Sequence, residues 1–291
     1  MSASGPSKTF RAGLVQMCSG RDVARNLRDA TALVREAASG GAAYVQTPEA
    51  TNLMELDRER LFAAAAPENA NAGLQQLADL AKDLAIWLHL GSMVVKVSET
   101  KLANRAYLIS PAGEVKARYD KIHMFDVDLP NGEVYRESTN YKPGTRAVVA
   151  DLPWGGLGFS VCYDLRFPNL YRALAHAGAS FLAVPAAFTR ITGEAHWVTL
   201  LRARAIEAQC FVLAAAQGGL HEHGRETFGH SLVVSPWGHI LAEGGVHPSV
   251  IFADIESGMI EDVRSRVPSL RHDQEFDVVR ADKETAAEVA S

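Results

Sequence analysis

The sequence has few cysteines, no long apolar run and only a small charge excess, and each of these argues against a class of protein. Three cysteines in 291 residues are too few for a disulfide framework, so we expect a reducing, cytoplasmic setting that keeps a thiol available. No apolar run reaches the roughly 18 residues that a membrane-spanning helix needs. The net charge of −5 gives no reason to expect binding to nucleic acid. Residues 1–8 are polar and lack the apolar segment of a signal peptide.

What remains is the composition of an ordinary globular enzyme, with 47% hydrophobic and 22% charged residues. Alternating and continuously apolar segments predict about a dozen strands, and amphipathic stripes predict about five helices. A strand at 10–17, a helical stripe at 23–38 and a buried strand at 42–46 give a β–α–β order, which indicates parallel pairing. No linker and no solenoid repeat divides the chain. We therefore predict an α/β fold with two packed sheets and helices on their outer faces.

Three parts of the chain lie outside this regular pattern. Residues 1–9 are expected to form an N-terminal extension, so that the domain occupies 10–276. Residues 277–291 are charged and rich in alanine, and we expect a docking arm or a disordered tail. The polar segment 129–144 is long for a connection inside a compact domain, which is typical of a lid or binding loop.

Cys162 lies where a short apolar strand changes into a helical pattern. Residues 156–161 favour a strand, and Pro168 suits the first turn of the helix that follows. A cysteine at such a junction lies near backbone N–H groups and the positive end of the helix dipole, so we expect the thiolate to be favoured over the thiol. Cys162 is therefore a candidate nucleophile on a tight strand-to-helix turn. The alternative is a small cysteine buried in a strand.

Two further reactive side chains, Glu49 and Lys121, also come just after predicted strands. Strand ends are where layered α/β folds build their sites. A carboxylate can take the thiol proton as general base, and an ammonium can stabilise a thiolate and a developing oxyanion. Glu49, Lys121 and Cys162 would together suffice for acyl transfer. Taken singly, Glu49 could instead be a helix-start carboxylate and Lys121 a loop cation.

The segments around these residues resemble the three signatures of the nitrilase superfamily, the carbon–nitrogen hydrolases, and occur in that family's order. The segments are Thr47-Pro48-Glu49, 119–126 and 160–168. Gly229-His230-Ser231 and Pro236-Trp237-Gly238 are also similar to that family, and the resemblance covers roughly residues 10 to 275. It implies a four-layer α-β-β-α sandwich of the carbon–nitrogen hydrolase type, no metal and no organic cofactor, and assembly into homodimers or larger homo-oligomers.

The resemblance also implies a role for each residue of the site. Glu49 would be the general base, Lys121 the oxyanion stabiliser and Cys162 the nucleophile. Glu137, in the loop after the lysine, would position the lysine and the substrate amide. The backbone N–H of Tyr163 would complete the oxyanion hole. The implied reaction passes through a thioester on Cys162 and follows ping-pong kinetics.

The residues after the nucleophile indicate a branch of the superfamily. Cys162-Tyr163-Asp164 differs from the Cys-Trp-Glu of true nitrilases and is similar to the Nit amidases. The segment 191–207 resembles amidases that hydrolyse deaminated glutathione, and next the ω-amidases acting on α-ketoglutaramate and α-ketosuccinamate; N-carbamoyl amino acid hydrolases are a further alternative. Asn169 departs from the glutamate usual in the family. We therefore expect hydrolysis of a small carboxylate-bearing amide to acid and ammonia.

Three side chains are further candidates for substrate binding. Arg166 could hold a substrate carboxylate in a bidentate pair, or could form a salt bridge at the helix start. Phe188 and Thr192 follow a buried strand and could line the pocket, although Phe188 could equally belong to the core. The expected partner is a small-molecule amide, with no nucleic acid and no membrane.

Two functions of other classes remain open. His221, His223 and His230 could form the site of a metal-dependent hydrolase, although their loose spacing suits a surface loop better. A binding protein that keeps the fold without catalysis is the second, although the three reactive residues argue against it. Cys18 and Cys210 are expected to be structural.

Overall fold

Two six-stranded sheets pack face to face in the computed structural model, which describes residues 9–280. The first sheet has the order β16-β1-β2-β3-β4-β5 and contains β1 (Thr9–Gln16), β2 (Tyr44–Gln46), β3 (Trp87–Lys96), β4 (Leu102–Ile109), β5 (Val115–Asp120) and β16 (Ser249–Glu256). The second has the order β15-β14-β11-β10-β9-β8 and contains β8 (Val149–Leu152), β9 (Gly155–Phe159), β10 (Ala179–Ala183), β11 (Phe211–Ala214), β14 (Leu232–Val234) and β15 (Ile240–Glu243). Two small hairpins stand apart, β6 (Asp126–Asp128) with β7 (Val134–Arg136), and β12 (Gly218–Leu220) with β13 (Glu226–Phe228).

Helices cover both outer faces of this pair of sheets. They are α1 (Val23–Ser39), α2 (Arg58–Ala64), α3 (Ala72–Leu84), α4 (Glu137–Asn140), α5 (Pro168–His176), α6 (Arg190–Ala208) and α7 (Gly258–Arg266), with 3-10 turns at Glu68–Ala70, Cys162–Arg166 and Ser269–Arg271. Helices α1 and α3 pack on the first sheet, and α5 and α6 pack on the second. The predicted four-layer α-β-β-α sandwich is therefore confirmed.

The layer between the sheets is apolar and largely aromatic. The rings of Phe10 and Phe181, from opposite sheets, meet edge to face with centroids 5.4 Å apart. His89 and Phe159 do the same at 5.0 Å. Such pairs contribute about 0.5–1.5 kcal/mol each beyond the burial of their area. This packing fixes one sheet against the other. The carboxyl ends of β2 and β5 in the first sheet and of β9 in the second lie on the same side of the molecule.

The first β–α–β unit follows from its sequence pattern. Asp22 caps α1 by accepting a hydrogen bond from the Arg25 N–H at 3.0 Å. The apolar stripe of the helix, Leu27 to Ala37 at helical spacing, is buried against the sheet. Strands β1 and β2 then pair in parallel, as predicted.

The segment 129–144, expected to be a lid or binding loop, is more regular than its length predicts. The chain turns at Gly132, which has a φ of +88°, a value that glycine adopts without strain. Strands β6 and β7 form a hairpin around this turn, and the hairpin leads into α4. A second amphipathic stripe, over 71–88, predicts a longer helix than α3. The helix ends at Leu84, because Ala85 takes a left-handed conformation and β3 begins at Trp87. Helix α2 and the β12–β13 hairpin were not predicted.

The chain termini bear on the predicted boundaries. Thr9 already belongs to β1, whereas it was assigned to the N-terminal extension. The other residues of that extension, 1–8, and residues 281–291 of the expected tail lie outside the described part of the chain. Within residues 9–280, no helix has both the length and the apolarity to cross a membrane.

Candidate active site

Glu49 is carried by a segment that leaves β2 and continues along the middle of β3. The Thr47 N–H donates to the His89 carbonyl at 3.0 Å, which holds the segment against the strand. A Cβ atom at Gly91 would lie 2.0 Å from the Thr47 carbonyl oxygen and 2.4 Å from Pro185. Glycine at this position is therefore required for Glu49 to approach the second sheet.

Lys121 joins Glu49 to Glu137 in one buried ion cluster. Its Nζ donates to Glu49 Oε1 at 3.0 Å and to Glu137 Oε2 at 2.8 Å, and its side chain is only 2% exposed. Lys121 follows β5, and Glu137 begins α4. The Phe125 N–H donates to Glu137 Oε2 at 2.6 Å, so the hairpin fixes this second carboxylate. The fold thus brings into contact Glu49 and Lys121, which lie 72 residues apart in the sequence.

Asn104 is a polar residue of the site that the sequence interpretation missed. Its Nδ2 donates to Glu49 Oε1 at 2.8 Å and to Glu137 Oε1 at 3.3 Å. The Lys121 N–H in turn donates to the Asn104 carbonyl at 2.9 Å. The available signal is an asparagine on the buried face of β4, opposite the lysine segment. Glu49 Oε2 is held separately, by the Ala187 N–H at 2.8 Å.

Cys162 occupies a strained turn between β9 and α5. Its φ is +52°, a left-handed conformation that a non-glycine residue rarely adopts, as at the nucleophile elbow of other hydrolases. Its N–H donates to the Pro185 carbonyl at 2.9 Å. Asp164 stabilises the turn by accepting hydrogen bonds from the Val161 N–H at 2.8 Å and the Tyr119 hydroxyl at 2.7 Å. The turn is a 3-10 helix, and α5 begins with Pro168 in its first turn, as predicted.

The expectation that the fold favours the Cys162 thiolate is wrong. Burial raises the pKa of this thiol well above its ordinary value of 9.0, and the negative charge of Glu49 raises it further. The Lys121 charge opposes both effects without outweighing them. The cysteine also lies at the 3-10 turn rather than at the N-terminus of α5 itself, so the helix dipole acts on it less directly. The resting site therefore holds a neutral thiol.

The two partners of the thiol are charged. Burial alone would raise the pKa of Glu49, but the Lys121 charge and hydrogen bonds from Cys162 and Lys121 outweigh it, so that pKa lies below its ordinary 4.5. Burial alone would lower the pKa of Lys121, but the charges of Glu137 and Glu49 raise it well above 10.5. Thiol, carboxylate and ammonium therefore coexist at neutral pH.

These groups open into a cavity of about 270 Å³. Glu49, Lys121, Glu137 and Cys162 line it together, so the structure brings the predicted catalytic residues to one place. The remaining lining is mainly apolar and aromatic, with Phe125, Tyr135, Tyr141, Tyr163 and Phe188 among its members.

The predicted substrate-binding residues divide into two groups. Tyr163, Phe188 and Thr192 line the cavity, and Phe188 also belongs to the core, so both of its interpretations hold. Arg166 does not line it. Its guanidinium contacts His196 Nδ1 at 3.3 Å and lies 5.5 Å from the centre of the Phe188 ring. Its predicted role in carboxylate binding therefore stays a prediction.

The three histidines of the alternative metal site do not form one cluster, although the rings of His221 and His223 stack with centroids 5.8 Å apart. His221 uses one ring nitrogen on the Ser19 carbonyl and the other on Thr227 Oγ1. The His230 ring instead meets Glu243, with 3.3 Å between Nδ1 and Oε1. Across residues 9–280, no three His, Cys, Asp or Glu side chains are grouped as metal ligands.

The geometry of the site agrees with the family to which the sequence is matched. The profile of the family described as carbon-nitrogen hydrolase matches residues 11–265. The chain belongs to the carbon–nitrogen hydrolase family. It is accordingly a hydrolase of carbon–nitrogen bonds other than peptide bonds, and the predicted superfamily is confirmed.

Individual relatives extend this assignment. A deaminated glutathione amidase from Yersinia enterocolitica is 42% identical over 92% of this chain and 94% of its own. The Caenorhabditis elegans NitFhit protein has a TM-score of 0.86 at 35% identity, and this chain covers 65% of it. A mutant amidase from Nesterenkonia sp. AN1, solved with an acetamide moiety added covalently to its active-site cysteine, has a TM-score of 0.76 at 27% identity, over 92% of this chain and 99% of its own.

Proposed function

We propose that this protein is a cysteine-dependent amidase that hydrolyses deaminated glutathione. The observation that carries the proposal is one pocket in which a buried carboxylate, an ammonium and a thiol meet. The similarity to a deaminated glutathione amidase over 92% of this chain supports the choice of substrate. Deaminated glutathione is glutathione with an oxo group in place of its amino group, so it carries the free carboxylate expected of the substrate.

In the first half of the reaction, Glu49 takes the proton of the Cys162 thiol as the sulfur attacks the amide carbon. The low pKa of Glu49 keeps this base ionised, and the high pKa of the thiol makes proton transfer concerted with attack. Lys121 and the Tyr163 N–H stabilise the oxyanion. The N–H groups that open a helical turn have no partner within it, which leaves the Tyr163 amide free for this role.

In the second half, Glu49 returns the proton to the leaving nitrogen, and a thioester remains on Cys162. The amine that departs is cysteinylglycine for deaminated glutathione and ammonia for a primary amide. Water activated by Glu49 then hydrolyses the thioester and regenerates the thiol. Glu137 and Asn104 hold Lys121 and Glu49 in place throughout. The covalent adduct on the cysteine of the Nesterenkonia amidase supports such an intermediate.

The ω-amidase reaction is the second candidate. Hydrolysis of α-ketoglutaramate passes through the same α-ketoglutaryl thioester as that of deaminated glutathione. The site residues that act on the acyl group would therefore serve both substrates. N-carbamoyl amino acids place their carboxylate on the other side of the scissile bond.

The test is the release of α-ketoglutarate from deaminated glutathione and from α-ketoglutaramate. We expect turnover of the first at the higher kcat/KM, a thioester mass adduct during turnover, and no turnover by Cys162→Ala. Inactivity toward both substrates would refute the proposal. Iodoacetamide should abolish activity while EDTA leaves it intact; the opposite result would support a metal-dependent hydrolase. No product from a wide panel of amides would support a binding protein.

We also propose that the protein works as a homodimer or larger homo-oligomer in the cytoplasm. Exposed apolar side chains near the end of the described chain, Phe276, Val278 and Val279, support self-association. The three cysteines are free, which suits a reducing compartment. Sedimentation as a monomer at micromolar concentration would contradict the assembly.

A further inference from the structure

Arg225 is a cation of the pocket that has no anion to pair with among residues 9–280. The other two basic side chains of the lining are paired, Lys121 with both glutamates and Arg136 with Asp128 at 2.7 Å. No carboxylate of the described chain lies within salt-bridge distance of Arg225. Its Nε is buried and has no hydrogen-bond partner there. A partly buried guanidinium without a neutralising anion is costly, so an anion that enters the pocket beside it is stabilised.

The position of the guanidinium is well fixed. Arg225 lies just before β13, and its Nη2 donates to the Ala187 carbonyl. The guanidinium also stacks over the Tyr135 ring, 5.0 Å from its centre. The Phe228 N–H donates to the Phe188 carbonyl at 3.0 Å, which ties the β12–β13 hairpin to the segment after β10. A side chain held from two sides in this way loses little entropy on binding a ligand.

Ala187 relates Arg225 to the chemistry of the site. The Ala187 N–H donates to Glu49 Oε2 at 2.8 Å, while its carbonyl accepts from Arg225. Glu49 and the guanidinium are therefore held at the two ends of one residue. In the proposed mechanism Glu49 protonates the leaving nitrogen, so the leaving half of the substrate lies on this side.

We propose that Arg225 binds the free carboxylate of the leaving amine. The pocket then selects amides whose leaving group is an amino acid or short peptide over primary amides. Both contacts belong to the one residue Ala187, and an extended dipeptide spans about 7 Å, so the glycine carboxylate of cysteinylglycine falls within reach of the guanidinium. The planar fork of arginine suits a carboxylate held in bidentate fashion. This inference deepens the proposed function and rests on it for the identity of the substrate.

The kinetic test uses two substrates that share one acyl group. Deaminated glutathione and α-ketoglutaramate form the same thioester and differ only in the leaving half. We expect Arg225→Gln to lower kcat/KM for deaminated glutathione by about tenfold or more, the loss typical of a charged hydrogen bond. For α-ketoglutaramate we expect a change within about threefold, which reflects the contribution of the Arg225 charge to the low pKa of Glu49.

Two controls separate recognition from general damage. Arg190→Gln removes an exposed ion pair with Glu226 on the same hairpin and should affect neither substrate. The methyl ester of the glycine carboxylate of deaminated glutathione should cost wild-type protein about the same factor as Arg225→Gln costs the free acid. For Arg225→Gln, kcat/KM should be the same on the methyl ester as on the free acid. Arg225→Lys should recover only part of the activity, because it keeps the charge without the fork.

Equilibrium binding keeps the inference testable when turnover fails. In the Cys162→Ala background, Arg225→Gln should weaken binding of deaminated glutathione by about tenfold and leave binding of its methyl ester unchanged. The inference would be overturned if Arg225→Gln lowered kcat/KM equally for both kinetic substrates. It would also be overturned if wild-type pocket affinity were the same for the free acid and its methyl ester. Wild-type inactivity toward both kinetic substrates, with charge-dependent binding intact, would refute the proposed function alone.

Discussion

Two ion clusters lie on opposite faces of the sheet at β4 and the end of β5. They divide two pairs of sequence neighbours, Asn104 with Arg105 and Lys121 with Asp120. The inner cluster consists of Glu49, Asn104, Lys121 and Glu137. The outer cluster consists of Glu68, Arg105, Arg118 and Asp120, with Arg105 Nε 2.6 Å from Asp120 Oδ1 and Arg118 Nε 2.6 Å from Glu68 Oε1. Since side chains alternate along a strand, Asn104 and Arg105 face opposite ways, as do Asp120 and Lys121.

The clusters differ in burial and in balance. The outer cluster has two guanidinium groups for two carboxylates. Its Glu68 side chain is 25% exposed, so water screens the attraction between these charges. The inner one has a single ammonium for two carboxylates, and Lys121 is 2% exposed. The inner cluster therefore has more carboxyl groups than cations. The outer cluster stabilises the fold, whereas the inner cluster holds the ionised carboxylate that the proposed reaction uses as its base.

Replacement of Lys121, the central cation of the inner cluster, should have the largest effect on activity. Lys121→Met leaves two buried carboxylates facing each other and removes the proposed oxyanion stabiliser, so we expect kcat to fall by about 10³-fold or more. Steady-state kinetics on the folded protein measure it. Arg105→Met is the matched change in the outer cluster, and should lower stability while activity per folded molecule stays within about threefold. A comparable loss of activity in both variants would make the two clusters equivalent.

The second comparison removes one carboxylate from each cluster. Glu49→Gln keeps the shape but cannot accept the thiol proton, so we expect a loss of about 10²–10⁴-fold in kcat. Glu68→Gln weakens a partly exposed network, and we expect about 1 kcal/mol less stability with ordinary activity. Kinetics and urea unfolding of both proteins give the result. Substantial turnover by Glu49→Gln would remove Glu49 from the role of base.

Asn104 should show a smaller effect with a distinctive signature. Asn104→Ala deletes a hydrogen bond to the charged form of Glu49, so we expect kcat to fall about tenfold and KM to change little. The acid limb of the pH–rate profile should move to higher pH, because that bond favours the carboxylate. An unmoved profile with a reduced amount of folded protein would indicate a purely structural asparagine.

The smallest expected effect is that of pH near neutrality. The pKa of Glu49 is below 4.5 and those of Cys162 and Lys121 are well above 9.0 and 10.5, so kcat/KM should be flat between about pH 6 and 9. The lowered pKa of Glu49 stabilises the fold above its ordinary value, and this contribution is lost as pH falls through the folded-state pKa. The raised pKa of Lys121 stabilises the fold below 10.5, and this is lost as pH rises through the folded-state pKa.

A pH–rate profile and iodoacetamide kinetics check this together. Both should lack a titration in the neutral range, since the resting thiol is neutral. A step with an apparent pKa of about 6–7 would instead indicate a thiolate stabilised before substrate binds, as the sequence alone had led us to expect.

Local pattern accounts for what the sequence predicted well. The alternation of side chains along strands and the apolar stripe of α1 depend on neighbours a few residues apart, so the layers of the fold could be inferred. The motifs around Glu49, Lys121 and Cys162 identified the family before any geometry was known. The length of the segment 129–144 predicts only a loop, whereas the turn residue Gly132 within it indicates the observed hairpin.

The sequence by itself determined which reactive groups the chain possesses and that strand ends would present them. Only the tertiary structure decided their partners: Asn104 and the Ala187 amide on Glu49, Arg225 rather than Arg166 in the pocket, and a neutral Cys162. The reason is physical. The alternation of side chains is a property of adjacent residues, whereas burial and the Coulomb energy between charges depend on distances that only the packed fold defines.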